Sequence, residues 1–551
     1  MAVTRDQLKQ LANIKDTLAA KRDNEKGLNW KQIAKFVLQE LADNEDKRKG
    51  LPSESAPNYT NLAANALQGW AYGRSVGWMH LKDEAQMKGK GKNKVKLSQE
   101  AEAWFRDCED MLLDDIARSA FYDESLGFTK IALNLSTAIM LVDWVEARDM
   151  LYVETLNPRR CCIAEGPTHD IEVLFTDFEM DKSQAMQKFG KKCPKKIQDC
   201  REWTQEFTFT KAVFKAGTYD MKVNGKGEWC EVVWCNDDMD APCSERRMGY
   251  KPFIVWRFER SMTGSPWGVN SPGERSLGTI TALNVVEKST MKGIQLFKDP
   301  MVKATEGLEV EIRPSNVIPL SGNQDFQFVA PQGSSNDNGT MAYIAKKEQE
   351  LKEAYYVDFF LMLQQSMEQR KTATEVAELS DEKAQVLASF TSRINGEFLE
   401  PFLEAVFALE QEHGRLPEAP EELQGHEVKI DFVSPLAIAQ KKAQKYAPTR
   451  QFIAEAMAFY EFDPSVKYLF DLPEYVNRMA EDLMIDPDFL RKQDEVEKMV
   501  AQDREMAMQQ MQAQNQAQSA QTLNALSKAP EQGSIAQALT GVSGAAANGG
   551  R

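Results

Sequence analysis

Apolar residues near the start of the chain recur at helical spacing. Trp30, Ile33, Ala34, Val37 and Leu38 follow the i, i+3, i+4, i+7, i+8 order that lines one helix face. The helical reading covers residues 1–50, and the charged run ending at Lys49 closes at Gly50 and Pro52. A second periodic segment spans Leu62 to Trp78 and carries Gly69, Gly73 and Gly77. A third covers 98–135, with Ala101, Trp104, Phe105, Cys108, Met111 and Leu112 on one face. From about 137 to 260 the period shifts toward two. Glu206–Thr210 and Val213–Lys215 alternate as half-buried strands do, and Pro252–Phe258 reads as another strand. Val223-Asn224-Gly225-Lys226 predicts a tight hairpin turn, because Asn and Gly tolerate the positive φ such turns demand. Gly264–Gly273 is a loop rich in Gly, Pro and Ser.

Helical spacing returns over 275–297, through Leu277, Ile280, Leu283, Val286 (or Val285) and Ile294, and stops at Pro300. Between 301 and 333 lie four short strand-like runs: Met301–Lys303, Leu308–Ile312, Val317–Leu320 and Phe326–Val329. After a polar break at Asn336–Gly339, a helix over about 340–366 would be roughly 40 Å long. Thr372 and Glu375 form a capping box, the Thr hydroxyl accepting an orphan helix N–H while the Glu reaches back to the Thr amide. A helix is therefore predicted from Ala373 to about Gln411, directly after a turn carrying Arg370 and Lys371. Gly396 and Pro401 predict a bend between about 394 and 402, since Pro lacks the N–H of the helical ladder and Gly weakens the turn before it. Glu427–Val433 reads as one more strand, and helices broken at Pro448, Pro464, Pro473 and Pro487 fill about 436–510. The Gln-, Ala-, Gly- and Ser-rich stretch from about 509 is expected to be disordered. The fold class is mixed α+β, mainly helical.

Composition narrows the function. With 551 residues, 27% charged and 42% hydrophobic, the chain reads as soluble globular protein of several domains. It has no apolar run of membrane-spanning length and no signal-type core over Met1–Asn13, so neither membrane nor secretion is expected. Eight cysteines without a C-x-x-C pair, and four scattered histidines, predict reduced thiols, no metal and no cofactor. No G-x-x-x-x-G-K-[S/T] loop or G-x-S-x-G elbow occurs, and acid pairs such as Glu309/Glu311 and Asp237/Asp238 read as solvated faces, so no catalytic residue is assigned. A formal charge of −16 argues against a tight grip on nucleic acid, yet suits a conduit whose acidic walls avoid adhesion while a few basic rings centre a duplex. The basic run Lys88–Lys94 reads as a solvated loop, with phosphate contact as the alternative.

The order of elements resembles the bacteriophage portal family, the head-to-tail connectors of short-tailed phages. The matches run through Asn61–Leu67 and Gly77-Trp78-Met79-His80-Leu81; Pro252-Phe253-Ile254 with Arg257, Gly268, Ser271-Pro272 and Leu283-Asn284; Arg370, Thr372, Ala373, Glu375 and Val376; and Ser434–Ala437. Gly77 stands where the family often has Pro before its Trp. The resemblance implies a ring, usually of twelve subunits, with a central channel at one capsid vertex of the virion, assembled in the host cytoplasm. Its partners would be the large terminase, the tail adaptor, the major capsid and scaffolding proteins, and double-stranded DNA without sequence specificity. It divides the chain into a wing (1–274), first stem helix (275–297), clip (298–339), second stem helix (340–365), channel loop (366–372), kinked helix and remaining wing (373–470), crown (471–508) and tail (509–551).

On that reading Met367, Gln369, Arg370 and Lys371 face the channel, ahead of the Thr372/Glu375 cap. The plainer alternative is surface charge beside a helix start. Two other functions stay open: an internal core or tail-tube component, and a metal-dependent nuclease built from scattered acids.

Overall fold

The computed structural model describes residues 3–47, 50–74, 78–83, 98–221, 223–299, 301–304, 322, 326–329, 338–358, 360–361, 392–423 and 428–432, with single positions and short helical pieces between 449 and 509. The chain divides into two units, Met1–Phe470 and Asp471–Arg551, and the elements and contacts described below belong to the first.

The N-terminal part is helical. α1 (Arg5–Arg22) starts at Thr4, whose side chain and that of Gln7 cap each other's backbone. A π-helical turn (Asp23–Gly27) leads into α2 (Leu28–Phe36), which buries Trp30, Ile33 and Ala34 on the predicted face. α3 (Ser55–Tyr72) ends earlier than its pattern suggested. Gly73 turns extended there, with its Cα so near the Gly69 carbonyl that a Cβ would lie 2.8 Å from that oxygen. Trp78 is therefore outside the helix, and β1 (Met79–Asp83) follows it. The predicted helix over 98–135 is two helices, α4 (Gln99–Arg118) and α5 (Phe121–Leu135), because the Ser119 side chain bonds the Ile116 carbonyl and the Phe121 amide and turns the chain.

Two antiparallel sheets follow. β2 (Thr137–Val145), β3 (Met150–Leu156) and β9 (Phe253–Arg257) form one, in the order β3-β2-β9. The other is a meander of β4 (Cys161–Glu165), β5 (Ile171–Asp181), β6 (Glu206–Lys215), β7 (Trp229–Cys235) and β8 (Ser244–Met248). β6 and β7 do pair as the Asn-Gly signal implied, but the turn is not tight. The strands end at Lys215 and Trp229, and Gly225 and Gly227 take positive φ within a longer loop packed against Arg247 and Met248. Between β5 and β6 sits a small lobe, α6 (Lys182–Phe189) and α7 (Lys195–Gln198), which strand periodicity did not anticipate. The two sheets are bridged by Arg246, which donates to Glu231 at 2.9 Å and to Asp143 at 3.0 Å. Burial pushes both acids up, but Arg246, with Lys211, outweighs it and holds them below the usual carboxylate range.

A one-turn helix, α8 (Pro272–Arg275), leads into α9 (Leu277–Lys298). Past α9, β10 (Met301–Ala304) pairs antiparallel with β11 (Phe326–Val329), two of the four predicted runs; the other two lie outside the described residues. The chain returns as α10 (Asn338–Ala354), in contact with α9. At 17 residues, α10 is shorter than predicted, about 26 Å. Tyr356 takes a positive φ of 56°, and helical conformation resumes at Val357. Core burial of Tyr355 and Val357 outweighs the local preference for continuing the helix.

The returning segment contains a π-helical turn, Ile394–Leu399, followed by α11 (Glu400–Glu412). Gly396 lies in the π turn and Pro401 in the first turn of α11, where its missing N–H costs least. The register change carries Phe398 into the main core against Phe128 (4.4 Å between ring centres) and Tyr72 (5.4 Å), while Phe402 stacks on Phe121 (4.3 Å). β12 (Val428–Phe432) pairs antiparallel with β1.

Candidate functional site

The side chains predicted to face a channel, Met367, Gln369, Arg370 and Lys371, and the cap Thr372/Glu375, lie outside the described residues. The structure does describe how the two ends of their segment are held. Both converge on one polar root at the end of α5 and the start of β2.

Asn134 is fully buried there. Its Nδ2 donates to the Lys130 carbonyl (2.8 Å) and to Thr60 Oγ1 of α3 (3.2 Å). Its Oδ1 accepts from the Tyr355 hydroxyl at 2.7 Å, pinning the end of α10. Burial raises the Tyr355 phenol above its ordinary range, so it stays a donor. The Asn134 carbonyl accepts from Ser271 Oγ at 3.0 Å, pinning the entry to α8. One side chain and its backbone thus fix α3 and both arms of the helical hairpin.

The loop before α8 is seated just as closely. Ser136 adopts a positive φ of 60°, which points its hydroxyl to Glu274 at 2.7 Å. Glu274 also takes a 2.8 Å ion pair from Lys26, both side chains nearly buried. Gly268 and Gly273 are required by close approach: a Cβ at Gly268 would sit 2.0 Å from the Ser136 carbonyl oxygen, and one at Gly273 2.6–2.9 Å from Asn134. Further along α9, Asn284 Oδ1 accepts from the Ser53 amide at 3.3 Å, and Glu287, raised mainly by burial, accepts from the Ser53 hydroxyl at 2.8 Å.

The returning helix is clamped one residue pair away, since Thr137 and Arg257 are partners across β2 and β9. Arg257 is buried and donates to Glu165 (2.7 Å) and to Glu397 of the π turn (3.2 Å). Glu397 also receives Arg260 at 2.7 Å, a hydrogen bond that raises the Arg260 guanidinium further. Arg393 closes the clamp on the Phe258 carbonyl at 2.5 Å.

The distal half of the hairpin contrasts with its root. In the single chain, residues 291–298 of α9 are exposed throughout. Met291, Ile294, Leu296 and Phe297, with Met341 and Tyr343 on α10, leave large apolar side chains in water. Contiguous exposure of this kind marks an interaction surface. Among the described residues, no group of three or more His, Cys, Asp or Glu is placed to hold a metal ion, and no helix is long and apolar enough to cross a membrane.

Sequence reasoning singled out Arg257, Gly268, Ser271 and Asn284, and the structure puts all four in or beside this root. It missed Asn134, Ser136, Glu274, Tyr355 and Glu397. The Gly/Pro/Ser-rich loop hinted at close backbone approach, but nothing local marks a buried Asn or a clamping Glu.

Residues 8–490 match the family described as "Bacteriophage head to tail connecting protein". The chain is 26% identical over 408 residues to the "Probable portal protein" of Bordetella phage BPP-1, covering 70% of this chain and 71% of that protein. It is 25% identical over 414 residues to the "Portal protein" of Salmonella phage epsilon15, covering 70% of each. A looser likeness, at 11% identity and a TM-score of 0.32, runs to a chain of the "Neck of empty GTA particle computed with C6 symmetry", over 78% of this chain and 91% of that one.

Proposed function

Since this chain belongs to the bacteriophage head-to-tail connecting protein family and serves as a portal of the phage particle, we propose that it assembles as a ring of about twelve subunits around a central channel. Terminase drives double-stranded DNA through this channel at the unique capsid vertex, and the DNA later leaves by it. The tail adaptor docks on the same ring, and the major capsid and scaffolding proteins surround it. α9 and α10 are the stem, the β10–β11 region is the clip, 471–508 is the crown, and the rest of the first unit is the wing.

The observation that carries this reading is the hairpin of α9 and α10, rooted by Asn134 and Arg257 yet apolar and uncovered along its distal half. Neighbouring copies of the same hairpin would cover that surface, and a cyclic arrangement leaves no open end. Residues 366–372 fall between the end of the stem and the Glu397 clamp, so a ring would carry Arg370 and Lys371 inward as stacked basic rings that follow phosphates without reading bases.

Negative-stain images and mass by light scattering test the proposal. Rings of about a dozen subunits with an axial channel are expected. Filaments would favour a tail-tube component, and a monomer that cuts DNA only with added divalent metal would favour a nuclease.

A further inference from the structure

The chain is acidic overall, but its charge reverses over a folded segment between β5 and β6. Between Lys182 and Arg201 there are seven basic residues and a single acid, Asp199, in a protein of net charge −16. This is the α6/α7 lobe between β5 and β6. Its fold is tightly specified. Asp181 and Gln184 make a capping box at α6, and Lys182 Nζ donates to the carbonyls of Gln198 (2.8 Å) and Cys200 (2.5 Å). Ala185, Cys193 and Ile197 anchor the lobe to Phe207 and Phe209 of β6. The backbone that presents the basic residues is therefore fixed, with Lys182 hydrogen-bonded across the lobe and Lys188 laid over the Phe178 ring.

Three of the outward lysines make no contact that holds the fold. Lys191, Lys192 and Lys195 are exposed and have no ion-pair partner among the described residues; Lys196 reaches Asp237 only at 3.8 Å. Lys188 lies over the Phe178 ring at 5.4 Å. Solvation alone would be served by mixed charges, as elsewhere on this surface. A fixed, predominantly basic cluster on a protein of acidic net charge attracts a polyanion. Its composition chooses between polyanions: lysine is depleted at protein–protein interfaces, where arginine and apolar side chains dominate, whereas lysines as point charges suit DNA phosphates.

We propose that the α6/α7 lobe is a second, non-specific contact for double-stranded DNA, made to the phosphate backbone by Lys191, Lys192 and Lys195. This contact does not depend on the channel loop and stands whether or not Arg370 and Lys371 meet DNA.

The test uses the full-length protein and a short fluorescein-labelled duplex, with anisotropy followed between about 50 and 200 mM salt. Lys191→Ala/Lys192→Ala/Lys195→Ala is expected to weaken binding at least about tenfold at low salt and to reduce the salt slope by about 2–3, one phosphate contact per lysine. The loss should be equal for AT-rich and GC-rich duplexes, since phosphate contacts carry no sequence. The triple Lys→Arg variant should bind as the wild type does, and the melting temperature of both should be unchanged. An alanine variant indistinguishable from the wild type, or wild-type protein that ignores the duplex, overturns the proposal. Displacement of the duplex by polyglutamate at equal charge concentration also overturns it, in favour of an acidic protein partner. Failure of the channel-loop reading would show separately, as unchanged binding by Arg370→Ala/Lys371→Ala.

Discussion

Arg257 and Glu397 are 140 positions apart in sequence, yet the guanidinium reaches the carboxylate at 3.2 Å and the Arg257 amide donates to the same carboxylate at 3.0 Å. Between them the described chain runs out through α9 and back through α10. Its return is locked to the strand it departed from, beside the Asn134 root that holds both hairpin arms.

That contact should dominate local stability. Glu397→Ala leaves the buried Arg257 with Glu165 as its one charged partner and a long bond to the His169 carbonyl, and a loss of about 3–5 kcal/mol is expected by urea denaturation. Arg260 touches the same carboxylate from a half-exposed position, so Arg260→Ala should cost less than about 1 kcal/mol. Equal losses from the two variants would mean that burial is not what gives the clamp its strength.

A second buried acid predicts a pH dependence. Glu410 is buried beside Asp115, and Arg415 donates to both, at 2.8 Å and 2.7 Å. Asp149 and Arg118 complete the charged surroundings. Burial, then the neighbouring Asp115, push the Glu410 carboxyl up from 4.5 to about 7 against the pull of Arg415. The folded protein thus keeps a proton that the unfolded chain releases, so stability rises as pH falls through about 7 and levels off near the unfolded value. Calorimetric melting should show a higher transition at about pH 5.5 than at about pH 8, and Glu410→Gln should flatten that difference. An unaltered slope in the Gln variant would assign the effect to other groups.

The exposed apolar face of the hairpin should matter to assembly and not to folding. Ile294→Asp with Phe297→Asp changes side chains 40% and 48% exposed in the single chain, so the melting temperature of the monomer should hold within a few degrees, about 0.5 kcal/mol. Size-exclusion chromatography should then find monomers in place of rings. Intact rings from this variant would remove the basis for treating α9 as an intersubunit surface.

The basic turn makes the opposite kind of prediction. Positive charge ahead of a helix N-terminus opposes the helix dipole, so Arg370 and Lys371 are not explained by helix stability. Arg370→Ala with Lys371→Ala should leave ring formation and melting nearly unchanged, while particles package or retain shorter DNA. A double variant that fails to form rings would make this turn structural.

What the sequence disclosed followed from how local each cause was. Trp30, Ile33 and Ala34 are buried on the face their spacing implied, β6 falls where alternation put it, and β9 lies inside the strand read over Pro252–Phe258. Misses arose where distant contacts overrode local preference. The second hairpin helix stops at Ala354 because Tyr355 is drawn to Asn134, 221 positions away. The Asn224-Gly225 pair sits in a broad loop because Gly225 and Gly227 pack against the backbone of Arg247 and Met248. β1 is only five residues long, too short for its alternation to register before its partner is known. Glu397 carries no local mark: Gly396 and Pro401 point to an irregular turn, and the π-helical turn lies there, but they do not point to Arg257 as its partner.

The pairing of β1 with β12 sets an order of events during synthesis. Met79 faces Phe432 and Asp83 faces Val428, so the first strand waits on the ribosome for a partner made far later. At about 5–20 residues per second the wait is about 20–70 s, during which β1 lacks the strand it pairs with. A chain released early keeps that edge bare and cannot complete the β1–β12 pair. Prematurely terminated subunits are therefore marked by an unclosed strand before they could enter a particle, where one defective copy would spoil all its neighbours.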